Sequence, residues 1–385
     1  MPRYIDPDKC TACGDCRQVC PASAVNEYNA GLDRRAATYI QYPQAVPLAY
    51  AIDRETCLGC GLCEKVCLAG AINYGDLKRL RNLEVGAVIL APGYQVFDPS
   101  YLSSYLYGKS PNVVTSLELE RILSPSGPYK GHVMRPLDRE IPEKIAWIHC
   151  VGMRSEQEGA HPYCSNFCCM AALKQAVIAR EHIGPHLDMA LFYMDMRTPR
   201  KDFEKYCVRI KDQGARLIRS RVHTVDEVDG TGDLKIRYAT EAGEMLEETF
   251  NLVVLSVGGV IPQHTIELAR KLGVRLGHNK FMDTQCFAPV TTSRPGIYSC
   301  GFFNGPKDIP QTVMEGSAAA AAVARSLAPA RNTLVGGKVY PPEKDVLLEE
   351  PRVGVFACNC GRNIGGYADV PAIAEYTRTL SNVAY

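Results

Sequence analysis

No G-x-G-x-x-G run occurs anywhere in these 385 residues. Its absence excludes a dinucleotide site built on the usual glycine-rich turn, whose backbone lies against the pyrophosphate at a helix amino end. There is no charge excess either. Net charge is +1 with both signs interspersed, which removes any electrostatic case for nucleic acid or an anionic membrane as partner. Long apolar runs are also missing. The longest, near Leu252 to Ile261, falls far short of the ~20 residues that a spanning helix needs, so no membrane span is expected. Met1 runs directly into Pro2-Arg3-Tyr4-Ile5-Asp6, so no secretory leader and a cytoplasmic location are expected. What is present is 46% hydrophobic residues, enough for real cores, and a length that sets an expectation of about two to three domains. Seventeen cysteines stand out, and in such a chain they point to metal ligation in a reducing compartment.

Eight of them form two matched runs, Cys10, Cys13, Cys16, Cys20 and Cys57, Cys60, Cys63, Cys67, each spaced C-x2-C-x2-C-x3-C. This is the binding pattern of a bacterial-type pair of [4Fe-4S] clusters, in which each run gives three thiolates to one cubane and its fourth to the other. The expected sets are therefore Cys10, Cys13, Cys16 with Cys67, and Cys57, Cys60, Cys63 with Cys20. Neither a disulfide framework nor a zinc site explains two matched sets of four. Gly14, Gly59 and Gly61 let the backbone turn its N–H groups toward sulfur. Pro21 follows the first run, whereas Leu68 stands where a second proline is expected, a departure that touches no ligand. Between the runs lie 36 residues, Pro21 to Thr56, with Tyr39 to Pro47 expected as an extended segment wrapping the cluster core.

Beyond Ala71 the chain changes character. Residues 84–90 read as a buried strand, and the Ala91-Pro92-Gly93-Tyr94 turn after it resembles the A-T-G segment of flavoproteins with two dinucleotide-binding domains. From Lys144 the pattern becomes α/β, with strands at 145–150, 189–194 and 216–218, helices at 168–182 and 199–214, a β-meander over 221–250 and a buried parallel strand at 252–258. This is a Rossmann-like skeleton without its glycine turn, and Asp195 stands too far along to read a ribose. Cys150, Cys164, Cys168 and Cys169 occupy the place instead, at the carboxyl end of a strand and the amino end of a helix, where such sheets bind ligands and where helix polarity favours anionic groups. They read as the ligands of a third [4Fe-4S] cluster. Ordinary buried cysteines and a Cys168/Cys169 dithiol are the alternatives, the second disfavoured by ring strain between neighbours.

The chain resembles the A-type heterodisulfide reductase family, the iron–sulfur flavoproteins of that enzyme. The likeness is carried by Cys57-Leu58-Gly59-Cys60-Gly61-Leu62-Cys63-Glu64-Lys65-Val66-Cys67, Cys150-Val151-Gly152-Met153-Arg154, Pro162-Tyr163-Cys164, Cys168-Cys169-Met170 with Leu173-Lys174-Gln175-Ala176, Phe192-Tyr193-Met194-Asp195, and Gly305-Pro306-Lys307-Asp308-Ile309-Pro310. The resemblance implies an α/β fold with disulfide-reductase-like (thioredoxin-reductase-type) FAD and NAD-like Rossmann domains behind an N-terminal α+β 2[4Fe-4S] ferredoxin domain. It implies a cluster at Cys150, Cys164, Cys168 and Cys169 near a flavin, with Lys174 as the catalytic candidate facing the flavin ring; read without the family, Lys174 is a solvated helix residue. FAD is expected at Gly93, Lys174, Gly301, Lys307, Asp308, Pro310 and Thr312. Pro295 to Gly301 resembles the closing flavin motif, and Pro310 opens an alanine-rich helix at its first position. Phe302 stands where generic members carry the aspartate that holds the ribityl chain.

The expected segments are 1–80 for the ferredoxin domain, 81–140 and 263–330 for parts of an FAD domain, 141–262 for the NAD-like domain, 331–351 for a linker, and 352–385 for the start of a second module. The family's first flavin half is expected to be missing, leaving the FAD site incomplete. Cys358 and Cys360 are left open between ligands of a further cluster and unligated thiols. The expected activity is that of an electron-bifurcating oxidoreductase component, with partners resembling the B-type and C-type components of heterodisulfide reductase, a hydrogenase or dehydrogenase donor, and ferredoxin. A flavin-free electron-transfer component and a relative in quinone-linked or sulfur-oxidising chemistry are the rivals.

Overall fold

The computed structural model describes residues 4–77, 80–357 and 368–384, so Cys358 and Cys360 lie outside the described residues. The chain divides into two units, one of residues 1–80, 121–132 and 332–385, the other of 81–120 and 133–331. The segments assigned from sequence to separate FAD and NAD-like domains thus fall in one unit, and residues 121–132 leave it for the other.

In the first unit, β1 (Tyr4–Ile5), α1 (Asp15–Gln18), β2 (Ala24–Val25), β3 (Arg34–Arg35), β4 (Thr38–Tyr39), β5 (Ala51–Ile52), α2 (Leu62–Val66) and β6 (Ile72–Asn73) follow in order. β1 pairs antiparallel with β6, β2 with β3, and β4 with β5. The two cysteine runs repeat one local design. Cys10 N–H donates to Asp6 C=O and Cys57 N–H to Asp53 C=O, each at 3.0 Å. Each short helix is opened by a left-handed glycine, Gly14 at φ 93° and Gly61 at φ 77°. Ala12 takes the same left-handed conformation, at φ 57°, that Gly59 takes in the second run, so alanine tolerates there a turn that glycine adopts freely. The insertion is more than an extended wrap. Buried Arg35 on β3 joins Glu27 and Asp53 at 2.6 and 3.0 Å and lies 4.0 Å over the Tyr39 ring, which fastens the insertion to the start of the second run.

The second unit opens with β7 (Val88–Leu90), β8 (Gln95–Val96), β9 (Val113–Thr115) and α3 (Ser116–Leu123). β10 (Lys144–Val151), α4 (Cys168–Ile183), β11 (Asp188–Tyr193), α5 (Glu204–Asp212), β12 (Arg216–Arg219), the meander β13 (Val225–Glu227), β14 (Leu234–Ala239) and β15 (Met245–Phe250), then β16 (Leu252–Val257) build the α/β part. β17 (Gly259–Val260), α6 (Gln263–Leu272), β18 (Ile297–Ser299) and α7 (Ile309–Ser326) complete the unit, and α8 (Val370–Arg378) lies near the chain end. The main sheet is fully parallel in the order β12-β11-β10-β16-β9. Its centre is buried on both faces, and Ile145, Trp147, Leu191 and Leu255 have no exposure, as continuous apolar strands under crossover helices require. β9 comes from the stretch assigned to the FAD domain. β7 pairs parallel with β18 but is only three residues long, and Val85 and Ile89 are exposed, so the expected buried strand over 84–90 reduces to its last residues. α5 begins at Glu204, after the Pro199 proposed as its start. Gln175 anchors α4, accepting from Trp147 Nε1 at 3.3 Å and donating to Ser116 C=O at 2.9 Å.

At the amino ends of the parallel strands, Lys144 and Arg216 bridge Asp188 and Glu248 of β15, with Lys144 Nζ at 3.0 Å and Arg216 Nη1 at 2.9 Å from the Glu248 carboxylate. Burial alone would push this carboxyl up, but hydrogen bonds from Arg216, Tyr238 and Lys144 outweigh it and hold it down to about 2. A depressed folded-state value means stability that is present above the ordinary 4.5 and is lost as pH falls toward 2. Replacing Glu248 with Gln should therefore lower the thermal midpoint near about pH 6 and cost progressively less toward about pH 3. Thermal melts of both proteins across that range check it, and a constant difference would contradict the ion-pair account.

Candidate functional site

In the first unit, Cys10, Cys13, Cys16 and Cys67 line a single cavity of about 120 Å³, the grouping the crossed pattern requires. Backbone N–H groups point at two of the sulfurs, Tyr50 to Cys10 Sγ and Ala71 to Cys67 Sγ, both at 3.4 Å. Burial, then the neighbouring Cys10, Cys13 and Cys63, pushes the Cys16 thiol up to about 11. Cys57, Cys60 and Cys63 cluster beside Tyr74, whose hydroxyl lies 3.2 Å from Cys63 Sγ. Cys20 moves the opposite way from Cys16. Burial raises it, but hydrogen bonds from the Thr38, Ala22 and Ala37 backbone and from the Thr38 side chain outweigh that and lower it.

In the second unit, Cys150, Cys164, Cys168 and Cys169 line one cavity with His149, Arg154, Phe167 and Arg197. It lies at the carboxyl end of the parallel sheet and the amino end of α4, whose first two residues are Cys168 and Cys169. The backbone is bent to this purpose. Cys150 is left-handed at φ 60°, followed by Gly152 at φ 71°, and the β10–β16 register shifts between Ile148 and Val151. Asn166, also left-handed at φ 63°, donates its N–H to Cys164 Sγ at 3.4 Å.

Burial drives the thiols up, Cys168 well above its ordinary value and Cys169 to about 12; the charges of the neighbouring cysteines push both further, while a backbone hydrogen bond from Arg197 partly offsets the rise at Cys169. Thiols so reluctant to ionise make poor exchange nucleophiles. A bound cationic metal group, by contrast, supplies the charge that keeps coordinated thiolates deprotonated. All described cysteines are free. Four thiols lining one cavity are a donor set that suits a thiolate-bound iron–sulfur group.

Sequence reasoning missed the cavity's cations. Arg154 Nη1 lies 4.0 Å from Cys150 Sγ, and both Arg154 and Arg197 pair with Asp195. The strand-end aspartate set aside as a ribose reader thus holds two arginines at the cysteines. The one available signal was Arg154, four residues after Cys150.

A third cavity, of about 620 Å³, is lined by all seven residues placed at the flavin: Gly93, Lys174, Gly301, Lys307, Asp308, Pro310 and Thr312. Lys174 is exposed and, among the described residues, makes no ion pair. Lys307 is buried, and its ammonium donates to Gly301 C=O at 2.7 Å and pairs with Glu315 at 2.9 Å; it shapes the turn more than it offers charge to a ligand. Asp308 caps α7, accepting from Gln311 N–H at 3.0 Å and pairing with Arg200 at 2.7 Å. Pro310 follows Ile309, so it is the second helical residue and not the first. Phe302 fills the aspartate's place as a buried wall, 4.6 Å from the Tyr94 ring, and Tyr94 stacks on Phe167 at 5.1 Å. Phe167 lines both this cavity and that of the four cysteines.

The family model for the 4Fe-4S dicluster domain matches residues 9–72. The chain is 45% identical over 327 residues, 84% of its length, to the A-type component of the H(2)/formate:CoB-CoM heterodisulfide,ferredoxin reductase of Methanococcus maripaludis, covering 49% of that protein. It is 44% identical over 332 residues to the second A-type iron-sulfur component of the CoB--CoM heterodisulfide reductase of Methanopyrus kandleri, at 85% of this chain and 50% of the relative. The chain therefore spans about half the length of the curated relatives it matches. Lactococcus lactis thioredoxin reductase superposes with a TM-score of 0.41 at 16% identity, over 63% of this chain and 66% of that one.

The four-cysteine loop depends on Gly258, where an added Cβ would collide with the Ser165 hydroxyl and the Met153 side chain. That hydroxyl accepts from Gly259 N–H at 3.0 Å. Gly258→Ala should displace the Cys164 to Cys168 loop and speed alkylation of Cys168 in the reduced, metal-free chain. Mass-spectrometric labelling rates measure this, and an unchanged Cys168 rate would contradict the packing argument.

Proposed function

The chain belongs to the A-type heterodisulfide reductase family, and on that premise we propose that it is the electron-transferring iron–sulfur flavoprotein part of a cytoplasmic, heterodisulfide reductase-like oxidoreductase complex. In this reading it splits electron pairs between a disulfide-reducing partner and ferredoxin. Its neighbours would resemble the B-type and C-type components, with a hydrogenase or dehydrogenase as donor. The observation that carries the reading is Phe167, one side chain facing both the four-cysteine cavity and the cavity that gathers the seven flavin candidates.

When bound, flavin exchanges electrons in pairs and iron–sulfur clusters exchange them singly. Cys10, Cys13, Cys16 and Cys67 would hold one cluster, Cys20, Cys57, Cys60 and Cys63 the second, and Cys150, Cys164, Cys168 and Cys169 the third. Arg154 and Arg197 set positive charge against the anionic thiolates, which favours their ionised form. Tyr94, Phe167 and Phe302 exclude water from the flavin side, and Lys174 brings a cation to its wall. No G-x-G-x-x-G run occurs in these 385 residues to offer its N–H groups to the pyrophosphate, and Lys307 is committed to Gly301 and Glu315. That favours weak FAD retention by this chain alone, or the second reading, a flavin-free electron-transfer component.

Anaerobic reconstitution should give about twelve iron atoms per chain, falling to about eight when Cys164 and Cys168 are both replaced by serine. About eight in both would remove the third cluster. Flavin binding separates the two readings: saturable FAD binding that weakens with bulk at Gly301 supports the flavoprotein, and none at high FAD supports the flavin-free reading.

Lys174→Met should shift the midpoint potential of bound flavin to more negative values, since loss of a nearby cation disfavours the more negatively charged reduced form. The cluster count should not change. An unchanged potential would return Lys174 to a solvated-face role.

A further inference from the structure

His149 is the polar group of the four-cysteine cavity that the ligand reading leaves unused. In a regular strand, His149 and Cys150 would face opposite sides of the sheet. The register shift between Ile148 and Val151 and the left-handed Cys150 break that alternation, as a bulge does, and both residues line the same cavity. The imidazole is 7% exposed, and neither ring nitrogen has a hydrogen-bond partner among the described residues. Of its polar neighbours, Arg154 and Arg197 bring donors and pair with Asp195, the Ser165 hydroxyl accepts from Gly259, and Asn166 lines the cavity without bonding to the ring. A buried ring N–H without an acceptor is costly. No group among the described residues accepts from it, whereas a thiolate-bound iron–sulfur group brings only acceptors.

We propose that His149 donates a ring N–H to the sulfur of the cluster held by Cys150, Cys164, Cys168 and Cys169, and so raises that cluster's reduction potential. The inference rests on the third-cluster reading. Hydrogen bonds to cluster sulfurs are among the factors that set the potential, because a donor stabilises the reduced, more negative state more than the oxidised one. Elsewhere in the chain, backbone N–H groups take this part at Cys10, Cys67 and Cys164.

The test uses the anaerobically reconstituted chain, wild type beside His149→Phe and His149→Gln, with iron quantified and potentials read by electron paramagnetic resonance during reductive titration. The third cluster's signal is the one missing from the Cys164→Ser, Cys168→Ser double variant. Expected are equal iron in all three proteins, a more negative midpoint in His149→Phe, and a midpoint nearer wild type in His149→Gln, which keeps a donor. Should His149→Phe not fold, His149→Met, also without a donor, takes its place. Full iron with an unmoved midpoint overturns the proposal alone. Loss of about four irons in every His149 variant also overturns it, by making His149 a ligand. About eight irons in the wild type would instead remove the underlying cluster reading.

Discussion

The structure turns on one electrostatic constraint: thiol sulfurs that must carry negative charge are placed where the protein alone disfavours it. At Cys16, Cys168 and Cys169 burial is the largest influence, and it opposes ionisation. The surrounding architecture reduces that penalty with N–H groups, arginines and a helix amino end. In the proposed clusters a positively charged iron core would remove the rest. Left-handed residues recur at these points, Ala12, Gly14, Gly59 and Gly61 in one unit and Cys150, Gly152 and Asn166 in the other, because turning N–H groups toward sulfur needs tight reversals of the chain.

The four-cysteine cavity and the larger cavity beside it share a helix as well as a side chain. α4 begins with two cysteines and within two turns presents Met170, Ala171 and Lys174 to the larger cavity. Gln175, tied to Trp147 and Ser116, fixes the helix rotation. The cysteine end and the Lys174 face are therefore positioned by the same buried hydrogen bonds, and a change at Gln175 would reach both.

The central sheet was legible because its strands are unbroken apolar runs buried on both faces, and α4 because its apolar stripe has helical spacing. Where an apolar run meets no core, reading failed: Val85 and Ile89 look like strand interior but are exposed. The dicluster domain was legible from cysteine spacing alone. The flavin candidates came from family resemblance, since Gly93, Lys174 and Thr312 are far apart in sequence and individually ordinary in type. His149 was not legible, because strand alternation sends it away from Cys150 and only the bulge brings it back. Lys307 lines the larger cavity with its charge paired to Glu315 inside the protein, a pairing that the motif alone does not reveal.

The ion network of Lys144, Asp188, Arg216 and Glu248 sits at the amino edge of the sheet, while Cys150 lies near the end of the same strand that Lys144 begins. Six residues of strand separate them by about 20 Å. Protonating Glu248 changes the charge at the edge far from the cysteines, so acid acts on the fold at the end of the sheet opposite the four-cysteine cavity.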